Sequence, residues 1–223
     1  MTTNDSLTLA GAETRGQLFR WLSTLFVREL DQKTLDLYHR GAGKDFLKQM
    51  AAIPALESDV TALQKVLVRE DNMALDALAL ASEYGYLFLG GGGPQSVSPY
   101  ESVYTSKNGS MFQEAEQQTR EILGMQGLGI SKEIREPADH IAIQLELFAH
   151  LDEMADSVAS TDAESASVLK IQAKTFLENH LLNWVPGFSA NCLAQDPDGF
   201  YGALARLTVT ILNESNLYFN QDN

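Results

Sequence analysis

A chain of 223 residues with 16 basic and 30 acidic side chains carries a formal charge of -14, which repels phosphate backbones and anionic lipid and sets nucleic acid aside as a partner. The single cysteine, Cys192, excludes an intrachain disulfide and suits a reducing compartment. No stretch approaches the roughly 18 uninterrupted apolar residues of a membrane span, and Met1 to Ala12 lacks the basic-then-apolar pattern of a leader, so a cytoplasmic protein with no membrane insertion is expected.

Helical periodicity dominates from the first apolar run. Leu18, Trp21, Leu22, Leu25 and Phe26 predict a helix after Glu13, and Leu35, Leu37 and Tyr38 a short second one. Phe46, Leu47 and Met50 mark a third before Pro54; Leu56, Val60, Leu63, Val66 and Leu67 mark a fourth. Asp71 or Asn72 is placed to cap a run through Leu75, Leu78, Leu80, Tyr84 and Leu87 that stops at Gly90. The four glycines Gly90 to Gly93 read as a loop after a helix C-terminus, because no Gly-Lys-Ser/Thr follows and no strand precedes them. Pro99 opens a short segment bearing Tyr100 and Tyr104, Ser106 to Gly109 is a turn, and Met111 to Met125 reads as a helix with Phe112, Ala115, Ile122 and Leu123 on its apolar side.

Gly124, Gly127 and Gly129 then break the pattern. Three further helices are expected at roughly 137–157, 162–184 and 198–214, with Pro186-Gly187 forcing a turn and a short piece holding Phe188 and Leu193; the tail after Tyr218 reads as loose. The expected fold is therefore one all-α domain over 1–223, a bundle of about ten helices in two packed halves, 13–126 and 137–215, joined by a glycine-containing hinge at 127–136. Such a hinge allows a monomer or a dimer in which halves are exchanged.

The segment Glu136-Pro137-Ala138-Asp139-His140 reads as a helix start, with Pro137 at the first position and Asp139 in the first turn. A 3.6-residue wheel sets Asp139 beside Ala142, Glu146, Ala149 and Glu153, facing outward, and His140 beside Leu147 and Leu151. Glu136/His140 and Glu146/His150 are i, i+4 pairs, but a di-iron bundle uses Glu-x-x-His on two helices, and these pairs lie about 15 Å apart along one helix. No nucleophile elbow or triad signature is present, and neither His39 nor His180 has a carboxylate at a telling spacing. A non-enzyme is expected; the alternative is a helical-bundle metal- or cofactor-binding enzyme using Glu136 and His140.

Tyr84-x-x-Leu87-Phe88, Pro99-Tyr100-Glu101-Ser102-Val103-Tyr104, Glu136-Pro137-Ala138-Asp139-His140 and Phe176-x-x-x-His180-Leu181-x-x-Trp184-x-Pro186-x-Phe188 occur in this order. Together they resemble the TorD/DmsD family of redox-enzyme maturation chaperones over residues 13 to 215, and Ser98-Pro99-Tyr100 with Asp198-Gly199-Phe200-Tyr201 resembles the TorD branch. The resemblance implies a cytoplasmic chaperone that binds the apo form of a molybdenum-containing reductase, its twin-arginine signal peptide, or both. It would assist insertion of the molybdopterin cofactor and hold back premature export. A receptor for such a leader needs carboxylates in reach of guanidiniums beside an apolar groove. The peptide- or client-binding residues expected here are Asp139, His140, Glu136, Pro137, Tyr100, Tyr104 and Glu146, with no catalytic residue and no metal. GTP or molybdopterin guanine dinucleotide is a ligand the resemblance would add, and no phosphate-binding motif supports it. Packing is the simpler reading for Trp184 and Phe188, carbonyl capping for His180.

Overall fold

The computed structural model describes residues 9, 11–67 and 76–221. Among them the chain forms eleven α-helices and no strand beyond one isolated bridge, the all-α architecture that the periodicity predicts. The helices are α1 (Ala12–Phe26), α2 (Gln32–Arg40), α3 (Ala42–Ala51), α4 (Glu57–Leu67), α5 (Ala77–Phe88), α6 (Glu101–Thr105), α7 (Glu114–Met125), α8 (Ile141–Val158), α9 (Ala163–Phe176), α10 (Val185–Gln195) and α11 (Phe200–Gln221).

Side-chain caps set many of the boundaries. Asp31 accepts from Thr34 N at 2.8 Å, Asp76 from Ala79 N at 2.7 Å and Asp162 from Ser165 N at 3.0 Å, each satisfying a backbone donor that a helix start leaves unpaired. Asp76 thus begins α5; the expected caps Asp71 and Asn72, and Leu75, lie outside the described residues. At the far end of α5, Gly90 takes φ 82° and the N–H groups of Gly91 and Gly92 turn back onto the carbonyls of Gly85 and Tyr86 at 3.0 and 2.8 Å. A left-handed residue is needed for that closure, and glycine adopts it without a Cβ penalty.

Five expectations are corrected. Leu78 is 83% exposed and off the buried side of α5, while Phe112 precedes α7 at φ 58° and stands 69% exposed. The predicted helix at 162–184 is interrupted at Leu177–Leu181 by a π-helical turn, and Pro186 and Gly187 lie inside the first turn of α10, where proline's missing N–H has no intrahelical partner to lose. The tail is helical to Gln221, with Phe219 only 2% exposed.

Close packing sorts the described residues into two compact units that interleave along the sequence. Unit one takes 29–97 and 189–214; unit two takes 10–28, 98–188 and 215–223. Residues 127–136 therefore fall within unit two.

In unit one, Tyr84, Phe88, Phe200 and Tyr201 form an edge-to-face aromatic cluster with centroids 5.1 to 5.7 Å apart. Asp59 of α4 accepts from Arg206 Nε at 2.8 Å and from Thr210 Oγ1 at 2.5 Å, tying α4 to α11. Cys192 is fully buried here, and burial pushes its thiol up, leaving it a small apolar side chain.

Unit two is built on α8, whose residues from Ile141 to Leu145 are all buried. Phe148 meets Phe19 of α1 edge to face at 4.7 Å. Arg15, 1% exposed, donates from Nε and Nη2 to the two carboxylate oxygens of Asp152 at 2.8 Å each. Its guanidinium carbon also lies 3.9 Å from the ring centroid of Tyr218. A buried ion pair is held only when such bidentate and stacking contacts replace the lost water.

Candidate functional site

The Glu136–His140 segment precedes α8 instead of forming its first turn. His140 is the N-cap, with φ -66° and ψ 137°, and its Nδ1 accepts from Ala142 N at 3.1 Å. Residues 99–102 run antiparallel to it: Glu101 N donates to Asp139 O at 3.1 Å and Ile141 N to Pro99 O at 2.9 Å, pairing Tyr100 with His140. The tyrosine and histidine rings sit edge to face at 5.3 Å.

This pairing reverses the outward placement of Asp139 that a helical wheel predicts. Asp139 is 0% exposed, and its Oδ2 accepts from Ser102 N at 2.9 Å, so it caps the short helix α6 from 37 residues away. Its Oδ1 has no hydrogen-bond partner. His140 is 1% exposed, and burial pushes its pKa down to about 4 from 6.5. The neutral ring is the form that can accept the Ala142 N–H through Nδ1 while protonated at Nε2. Pro137 is buried as well, whereas Glu136 is half-buried and accepts from the Tyr100 hydroxyl at 2.6 Å. Tyr104, also half-buried, packs on Trp184 at 5.3 Å.

Behind this segment lies a polar network that the spacing of residues did not reveal. Glu101, 3% exposed, receives Gln144 Nε2 at its Oε2, and His180 Nδ1 lies 3.1 Å from the same oxygen. Gln144 Nε2 also reaches Thr119 Oγ1 at 3.2 Å, and its Oε1 accepts from Trp184 Nε1 at 2.9 Å. His180 thus does have a neighbouring carboxylate, supplied across 79 residues. Its ring stacks on Phe176 at 4.9 Å, and the π-helical turn carries it there. The only sequence signal for the network was that Glu101, His180 and Trp184 stand in the quoted motifs. Trp184 and Phe188 are core residues, as expected. One side of the network opens on a polar cleft of about 730 Å³, lined by Glu101, Lys107, Asn108, Glu114, Asn179 and His180 among others.

On a different side of α8 runs an apolar groove of about 460 Å³. One wall is the α1 stripe Arg20, Ser23 and Thr24 with Val27 just past the helix end; the other is the α8 stripe Ile143, Glu146, Leu147 and His150. Leu123 of α7 and the loop residues Leu128, Ile130 and Ile134 complete it. Buried His150 Nε2 has no hydrogen-bond partner. A smaller hollow of about 340 Å³ shares Val27, Ser131 and Ile134 with this groove and adds Arg28, Glu133, Arg135 and Glu136. Of the seven residues expected at a peptide site, Glu146 and Glu136 therefore border the groove system, while Asp139 and His140 are buried supports. Among the described residues no group of three or more His, Cys, Asp and Glu side chains is placed to hold a metal ion, and no helix is long and apolar enough to cross a membrane.

Comparison with known proteins adds a family. The family model described as nitrate reductase delta subunit matches residues 52–190. The protein named Chaperone protein TorD of Vibrio cholerae is 36% identical over 202 residues, covering 91% of this chain and 90% of its own length. The protein of the same name from Aliivibrio fischeri is 34% identical over 200 residues, covering 90% and 92%. The crystal structure of a redox enzyme maturation protein from Archaeoglobus fulgidus superposes with a TM-score of 0.53 at 21% identity, over 89% of this chain and 93% of that one, a likeness of fold.

Proposed function

This chain belongs to the nitrate reductase delta subunit family, the family of the TorD chaperones, and from that membership we propose that it accompanies the apo form of a molybdenum-containing reductase and binds its twin-arginine leader. It is a maturation chaperone, not an enzyme. By holding the client in the cytoplasm until the molybdopterin cofactor is inserted, it keeps premature export in check. The chain acts as a monomer or as a dimer exchanged through residues 127–136.

The observation that carries the leader reading is the apolar groove between α1 and α8 with carboxylates at its borders. A twin-arginine leader presents two guanidiniums followed by an apolar run, and the groove offers the complementary pattern within a molecule of charge -14. Glu146, 55% exposed, and Glu136 supply acceptors. Tyr100 fixes Glu136 through its hydroxyl. Pro137, Asp139 and His140 hold the turn that follows Glu136, and Tyr104 of α6 packs on Trp184.

For guanine nucleotide or molybdopterin guanine dinucleotide the polar cleft offers little support. It sets Lys107 against Glu101 and Glu114, a charge balance that disfavours phosphates.

Calorimetry with a synthetic twin-arginine leader tests the reading. Wild-type protein should bind, and Glu136→Gln and Glu146→Gln should each weaken binding about three- to tenfold while far-UV circular dichroism stays unchanged. Equal binding by both variants removes the carboxylates from the site, and absence of binding by the wild type removes the leader as a ligand.

A further inference from the structure

The rim of the apolar groove already contains an arginine. Arg20 of α1 donates from Nη1 and Nη2 to the two oxygens of Glu153, the second contact at 2.6 Å, and from Nε to Glu146 Oε1 at 3.2 Å. Glu146 and Glu153 are seven residues apart on α8, two turns along one face, so their carboxylates form one seat. The seat is built into the packing of α1. A Cβ on Gly16, one turn before Arg20, would come 2.0 Å from Glu153 Oε1, so a larger residue there would push this carboxylate from its present position. The guanidinium's own affinity for its proton is raised, first by the hydrogen bond to Glu153.

We infer that Arg20 is an internal stand-in for a leader arginine, occupying the Glu146/Glu153 seat in the empty chaperone and giving it up when the client's guanidinium arrives. The inference rests on the leader reading and adds to it a regulated site. Two carboxylates face one guanidinium, so the seat keeps a net negative charge that attracts a further arginine. Arg20 is 37% exposed and Glu153 33%, so exchange proceeds at a solvent-accessible rim without opening the core. The groove begins at Arg20 and Glu146 and continues over Val27, Ile143 and Leu147, which matches the order of a leader in which arginines precede an apolar run. His150, whose buried Nε2 has no hydrogen-bond partner, lines the same groove.

Fluorescence anisotropy with two labelled leaders, one carrying Arg-Arg and one Gln-Gln, separates the possibilities. Arg20→Ala is expected to bind the Arg-Arg leader about fivefold more tightly than wild type and the Gln-Gln leader unchanged, since the internal competitor is gone. Arg20→Lys, which keeps charge but loses the bidentate fork, should tighten binding about twofold and guards against misfolding of the alanine variant. Glu153→Gln should weaken binding of the Arg-Arg leader alone. If wild type binds but neither Arg20 variant binds more tightly, or both leaders gain equally, the exchange is overturned and the leader reading stands. If wild type binds neither leader, the leader reading itself fails and takes the exchange with it.

Discussion

His140 shows how one side chain ties the fold to pH. Burial holds its pKa near 4 in the folded chain against 6.5 in the unfolded one. Between these values the unfolded chain binds a proton that the folded chain refuses, so the stabilisation is complete above about pH 6.5 and is lost as pH falls toward 4. The full effect is on the order of 3 kcal/mol. Urea midpoints taken from pH 7.5 to 4.5 should fall over that window, and His140→Asn, which keeps an N-cap acceptor, should flatten the decline; an equally steep decline in the variant would assign it elsewhere. The motif around His140 was legible in the sequence, but the orientation of Asp139 was not. A wheel carried back through Pro137 assumes helical backbone, whereas Glu101 N and Pro99 O bond to 139 and 141 and hold His140 between them in an extended bridge. That competitor sits some forty residues away and leaves no local trace.

At the scale of elements, the helices themselves were readable because apolar residues recur at 3.6 spacing and acidic caps precede them. The break inside the predicted 162–184 helix was not readable, since Leu177 to Leu181 carries no proline or glycine to announce a π-helical turn. What the turn accomplishes is tertiary: it brings His180 to Glu101 and precedes the bend that lets Trp184 reach Gln144. Gln144 is the hub, bonded to Glu101, Thr119 and Trp184 from a fully buried position on α8. Gln144→Ala should lower stability by about 2–4 kcal/mol, because it strands several buried partners at once. Gln144→Leu should do no better, since volume is restored but neither the Nε2 donor nor the Oε1 acceptor is. Chemical denaturation of both variants measures this, and a loss below 1 kcal/mol for either would show that the network is dispensable.

For the whole molecule, the two units share the carboxy-terminal helices. A chain ending at residue 188 lacks 189–214 of unit one, and with them Tyr201 and the Arg206 contact to Asp59. It also lacks 215–221 of unit two, and with them the Tyr218 ring over Arg15 and the Phe219 contact to Phe148. Such a fragment is expected to melt without a cooperative transition, and addition of a peptide spanning 189–221 should restore one; a cooperative melt of the fragment alone would refute the shared dependence. Composition and periodicity spoke for helices and for nothing of this interleaving, because contact between distant segments is decided by which surfaces fit after the helices exist.

The same interleaving sets the timing of biogenesis. While the nascent polypeptide is still threaded through the ribosomal exit tunnel, neither unit possesses all its segments, so both reach their final form only once residues 189–221 have emerged.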